Sequence, residues 1–174
     1  IIPPGEFLPA AEQYHMMPAI DLWVIENTLS HIKLAQTGLW SINLSGQSLS
    51  ESTIIMKIIN LINQSGIDPR RLCFEITETA AISNLREAKI FIDHLRELGC
   101  RASLDDFGTG LSSFNYLREL NVDYLKIDGS FVREIANDPI AFTMVKAIHE
   151  VGSAMGLKTI AEFVEDETIR DYLI

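Results

Sequence analysis

Arg71-Leu72-Cys73-Phe74-Glu75-Ile76-Thr77 is the stretch on which the fold class turns. At the two-residue period of a strand, Leu72, Phe74 and Ile76 share one face, and Cys73, Glu75 and Thr77 share the other. Two further short runs divide in the same way. In Trp40 to Ser45, Ile42 and Leu44 oppose Ser41, Asn43 and Ser45; in Asp123 to Asp128, Leu125 and Ile127 oppose Tyr124, Lys126 and Asp128. A doubly wound sheet carries helices on both faces, so its strands are apolar on both. In a closed barrel the apolar side chains meet the helix ring, and polar ones converge inside near the C-terminal mouth. The alternation therefore favours a barrel. Arg101 to Phe107 reads as a less clean strand, and Leu157 to Phe163 fits either architecture.

Working outward, helical periodicity is expected over 18–36, with Ile20, Trp23, Val24, Asn27 and Leu29 striped on one side. Further helices are expected over 48–65, stopping at Gly66; over 84–98, stopping at Gly99; and over 138–155, stopping at Gly156. A short helix follows the glycine-rich turn after Phe107, and a last one begins near Asp166. Strands alternating with helices define a parallel α/β protein. A complete barrel of this type needs about 250 residues. The chain has 174, begins without a leading strand and ends at Leu173-Ile174 within a helical pattern. The expectation is a modified TIM-type (β/α)8 barrel, incomplete in this chain, with the first and last strands missing. Residues 1–174 would be the central portion of a single domain, with exposed strand edges when isolated.

Acidic residues outnumber basic ones, 24 to 14, for a formal charge of −10. That balance excludes a general binder of nucleic-acid polymers, which needs a basic stripe. It is compatible with a small anionic ligand held through metal ions. Cys73 and Cys100 match no zinc or CxxC spacing and read as reduced, buried thiols of a cytoplasmic protein. No apolar run approaches the roughly 20 residues of a membrane span, and Ile1-Ile2-Pro3-Pro4 lacks the basic start of a signal peptide. No membrane contact is expected from this segment, although a longer parent could carry an anchor elsewhere.

Asn43, Glu75, Asp105, Lys126 and Glu162 fall one per strand on five successive strands. Side by side in a barrel, all five side chains can meet at one mouth. Carboxylates and an amide are hard oxygen donors, suited to Mg²⁺ or Mn²⁺. Asp106 beside Asp105 lets neighbouring carboxylates reach two ions about 3.5–4 Å apart. Lys126 adds a compact positive charge able to orient a water or steady a leaving oxygen. Each residue also has an ordinary reading. Asp105-Asp106 ahead of Gly108-Thr109-Gly110 equally fits a strand end running into an Asx-type turn. Glu75 and Lys126 fit a structural salt bridge. Asn43 fits a buried amide bonded to backbone, Glu162 an exposed acid at a strand end, and Glu78 an early-helix acid favoured by the dipole. Gly108 to Ser113 is either a phosphate cradle or a tight turn, and it lacks the P-loop pattern. The four histidines have no partner spacing for zinc or a triad, and no nucleophile elbow is present.

These residues resemble, in order, the motifs of the EAL family of cyclic-di-GMP phosphodiesterases. Asn43-Leu44-Ser45 looks like its NLS strand and Glu75-Ile76-Thr77-Glu78 like its ExTE motif. Asp105 to Gly110 matches DDFGTG, and Lys126-Ile127-Asp128 matches KID. Ala161 to Glu165 resembles AEGVE, with Phe163 at the glycine; Pro4 to Pro9 looks like the helix after the family's first strand. The resemblance implies a barrel with two Mg²⁺ or Mn²⁺ ions, in which water opens cyclic-di-GMP to the linear dinucleotide pGpG. It assigns Asn43, Glu75, Asp105, Asp106 and Glu162 to the metal site. Lys126 would position the water, and Glu162 would also be the general base. Glu78 would brace the loop after Asp105-Asp106, which the family couples to homodimer formation. By the same resemblance, the family's Glu-Ala-Leu tripeptide is expected upstream of residue 1 and its final strand beyond Ile174. A receptor that binds cyclic-di-GMP without cleaving it is the alternative, and GGDEF or sensory domains are expected in the parent protein.

Overall fold

The computed structural model describes residues 2–35, 37–109 and 115–174. The chain runs α1 (Pro4–Gln13), α2 (Met17–Ile32), β1 (Trp40–Leu44), α3 (Gly46–Ser50), α4 (Ser52–Ser65), β2 (Leu72–Thr77), α5 (Glu78–Ser83) and α6 (Leu85–Leu98). It continues with β3 (Arg101–Phe107), β4 (Tyr124–Ile127), α7 (Gly129–Glu134), α8 (Pro139–Ala154), β5 (Lys158–Ala161) and α9 (Glu167–Leu173). All five strands are parallel and stand in sequence order, β1-β2-β3-β4-β5. A doubly wound sheet reverses its strand order at a switch point; here there is no reversal, and the sheet is an arc of a (β/α) barrel. Among the described residues, β1 and β5 each have one strand neighbour.

The strand faces separate as alternation requires. Leu72, Phe74, Ile76, Leu104, Leu125 and Ile127 are buried beneath the helices. Phe74 meets Phe91 of α6 edge to face, with ring centroids 5.7 Å apart, an arrangement the ring quadrupoles favour. The opposite face carries Asn43, Glu75, Ser103, Asp105 and Lys126.

Three helical expectations need correction. In α2 the buried residues are Met17, Pro18, Asp21, Ile25, Leu29 and Ile32, while Trp23 is 64% exposed. The stripe was misplaced because its centre is a carboxylate. Asp21 Oδ2 accepts from Ser45 N–H (3.0 Å), Ser45 Oγ (2.6 Å) and Ser48 Oγ (2.6 Å), which makes its burial tolerable. The helix expected over 48–65 is two: Ser45 caps α3 through Ser48 N–H, and extended Glu51 separates α3 from α4. The short helices α5 and α7 were not anticipated. They start at Thr77 and Asp128, whose side chains accept from Ala80 N–H and Ser130 N–H. Strand β3 keeps its expected limits. Cys73 and Cys100 are free and buried, and burial pushes both thiols up to about 12.

A candidate three-carboxylate metal centre at the strand ends

The strand register sets the heights of the inward side chains. Asn43 pairs with Glu75, and Glu75 with Ser103, so Asp105 lies one inward step beyond Glu75. Lys126 pairs with Ile160, so Glu162 lies one step beyond that. This climb is the stagger of a barrel, and it carries the charged groups toward the C-terminal ends of the strands.

Between β3 and β4 the register slips. Leu104 pairs with Leu125 and Phe107 with Ile127, so β3 spends Asp105 and Asp106 where β4 spends only Lys126. An extra residue in a ladder is a β-bulge, which bends the strand and re-aims its side chains. Asp106 sits at φ +54°, a region that aspartate tolerates better than most residues. The bulge breaks the strict alternation that would send neighbouring carboxylates to opposite faces. As a result Asp105, Asp106 and Glu162 each offer an oxygen within 4.8 Å of the others. These are hard oxygen donors close enough to share one ion, so the residues fit a hard divalent cation.

Lys126 stands in the middle. Its Nζ lies 2.8 Å from Glu75 Oε2, 2.9 Å from Asp105 Oδ1 and 2.8 Å from Glu162 Oε1. Burial alone would lower its pKa; the bonds to Glu162, Glu75 and Asp105 outweigh this and hold the ammonium above its usual range. Asp106 shows the other half of the balance. Burial, then the charges of Asp105, Asp128 and Glu162, raise its carboxyl above the ordinary value. The centre is an acidic cluster with one cation, short of positive charge.

Glu78 opens α5 and is buried. Its Oε2 accepts from Gly108 N–H at 3.0 Å and its Oε1 from Tyr116 O–H at 2.5 Å. One carboxylate thus ties both sides of the segment after β3 to the end of β2. Gly108 is itself constrained, with φ +106° and Ile148 and Phe131 packed where a Cβ would project. The rest of the glycine-rich stretch, 110–113, lies outside the described residues, and so does its reading as a phosphate cradle.

Asn43 shares the inward face beside Glu75 by register, yet it is exposed. The reading of Asn43 as a buried amide is therefore overturned: β1 is an edge strand among the described residues, and no second neighbour covers it. Two contributors escaped the sequence reading. Tyr116 has no motif spacing that announces its bond to Glu78. Asp128 lies within the KID match without an assigned role; it caps α7 and adds its charge to the surroundings of Asp106. Phe163 stands at φ +52°, the backbone that suits the glycine expected there.

The EAL domain family matches residues 1–174. The cyclic di-GMP phosphodiesterase PdeB of Shewanella oneidensis is 43% identical over 178 residues, covering 99% of this chain and 21% of that protein. The cyclic di-GMP phosphodiesterase PdeF of Escherichia coli is 36% identical, covering 100% of this chain and 24% of that protein. The chain thus spans about a quarter of the length of these relatives. Among solved structures, the phosphodiesterase PaMucR in complex with c-di-GMP superimposes with a TM-score of 0.91 at 33% identity, covering 99% of this chain and 77% of that one. The FimX EAL domain of Pseudomonas aeruginosa bound to c-di-GMP gives 0.90 at 32%, covering 99% and 70%. No helix among the described residues is long and apolar enough to cross a membrane. Matched over its whole length in sequence and superimposed on EAL domains over 99% of it, the chain belongs to the EAL domain family.

Proposed function

We propose that this domain hydrolyses cyclic di-GMP to linear pGpG, using Mg²⁺ or Mn²⁺ held among Asn43, Glu75, Asp105, Asp106 and Glu162. The observation that carries the reading is the bulged Asp105-Asp106 pair converging with Glu162 around the Lys126 ammonium. Four carboxylates against one ammonium is an arrangement that needs further cations to be stable. The relatives named as cyclic di-GMP phosphodiesterases support the choice of substrate.

In the reaction, a water oxygen forms a bond to phosphorus and the ester bond to the 3′-oxygen breaks. The water proton passes to Glu162, the general base, and the leaving 3′-oxygen takes a proton from bulk water, to which Glu162 then returns the one it accepted. Bound divalent cations supply Lewis acidity, lowering the pKa of the attacking water and neutralising charge on the phosphate. Lys126, positively charged throughout, orients the water by hydrogen bonding. Glu75 and Asp105 fix Lys126 in turn. Glu78 braces the segment after β3 through Gly108 and Tyr116, the segment through which we place the contact with a second copy of the domain. The domain would work in the cytoplasm as the central part of one EAL unit, in a parent that also carries GGDEF or sensory domains.

Turnover of cyclic di-GMP by the native protein and its Glu75→Ala and Asp105→Ala variants tests the proposal. Both substitutions are expected to silence hydrolysis. Unchanged turnover in either would sink the assignment, and tight binding without cleavage by the native protein would make it a receptor.

A further inference from the structure

Glu162 lies past the last ladder pair of the sheet, Ile127 with Ala161. Its direction is therefore set by the turn that follows rather than by strand hydrogen bonds. That turn is made by Phe163 at φ +52°, a conformation strained for a bulky side chain. The ring is held from α7. It rests on Gly129, where a Cβ would overlap the ring atoms Cγ, Cδ2 and Cε2. One helical turn on, the Arg133 guanidinium lies over the ring, with Cζ 3.8 Å from its centroid, a cation–π contact. Arg133 Nε also reaches Glu165 Oε1 at 3.5 Å, on the far side of the same turn. Residues four apart share one side of a helix, so Gly129 and Arg133 present a notch and a cover to one ring. Helix α7 grows directly from β4, which carries Lys126, the partner of Glu162.

We infer that Gly129, Arg133 and Phe163 form a clamp that positions Glu162, with Phe163 a positioning residue for the metal-holding carboxylate. The inference rests on the reading of Glu162 as a metal ligand. Contact with α7 offsets the backbone strain at Phe163. If the ring is evicted, Phe163 relaxes to negative φ and Glu162 swings away from Asp105, Asp106 and Lys126. Gly129 is thus required because residue 163 is phenylalanine; a glycine at 163 would hold positive φ with no ring to seat.

The test is a double-mutant cycle in the native protein, with Mn²⁺ affinity read by calorimetric titration beside kcat and KM for cyclic di-GMP. Gly129→Ala is expected to weaken Mn²⁺ binding about tenfold or more, with kcat falling and KM little moved. Phe163→Gly added to it should remove the effect, leaving the double variant within about twofold of Phe163→Gly alone. Arg133→Ala reads the same way and serves if Gly129→Ala does not fold. Gly129→Ala binding Mn²⁺ like the native protein would overturn the clamp. So would a double variant as weak as Gly129→Ala. Epistasis in Mn²⁺ binding without any turnover by the native protein would uphold the clamp and remove only the hydrolase reading.

Discussion

Lys126→Met removes the one ammonium that three carboxylates share, and its cost follows from the geometry. Nζ sits within 2.9 Å of oxygens of Glu75, Asp105 and Glu162, and the Lys126 side chain is only 12% exposed. At an effective dielectric of about 20, each such contact is worth about 6 kcal/mol of gross attraction. Desolvation and repulsion among the carboxylates cancel most of that sum. What remains on deleting one partner of a buried pair is about 3–5 kcal/mol, because the abandoned charges stay buried. The metal-free variant is expected to lose that much stability in urea denaturation at neutral pH. Since the ammonium's pKa is raised, its contribution in the native protein is complete below the unfolded lysine value and fades only as pH rises through the folded one. Neutral conditions therefore show the full effect. Saturating Mn²⁺ should stabilise the variant more than the native protein, because the cation supplies the missing positive charge. A metal-free Lys126→Met protein as stable as the native one would refute the electrostatic argument, and equal Mn²⁺ stabilisation of both would refute the shared site.

Glu78→Ala should cost about 2–4 kcal/mol, because the Gly108 N–H and Tyr116 O–H lose a buried acceptor; Tyr116→Phe should cost less, and the two should not add. Asp106→Asn should raise the melting temperature of the metal-free protein at neutral pH and weaken Mn²⁺ binding. A carboxyl whose folded pKa is raised contributes stability below its unfolded value, lost as pH rises through the folded one. Melts across pH should therefore show the gain shrinking toward acid. Asp21→Ala should lose about 3 kcal/mol in urea denaturation by stranding the Ser45 and Ser48 donors.

Strand faces were readable because a two-residue period needs no knowledge of neighbours: β3 falls at its expected limits, and β2 starts one residue late, at Leu72. The face of α2 was not, since periodicity counts apolar residues and the buried stripe is built round Asp21. The inward positions of Glu75, Asp105 and Lys126 follow from alternation along each strand, whereas Glu162 lies just past the end of β5. Their heights do not, because stagger is a property of strand pairing. The bulge that turns Asp105 and Asp106 to one side also depends on pairing with Lys126, which no run of β3 alone discloses. Tyr116 and the Gly129–Phe163 contact join distant segments and leave no periodic trace.

The most direct test is chromatographic analysis of cyclic di-GMP incubated with the native protein and Mg²⁺ or Mn²⁺, beside a Glu162→Ala control. Linear pGpG from the native protein, absent without the cation and absent with the control, is the predicted result. An equal yield from the Glu162→Ala protein, or cleavage indifferent to chelation of the cation, would contradict the account.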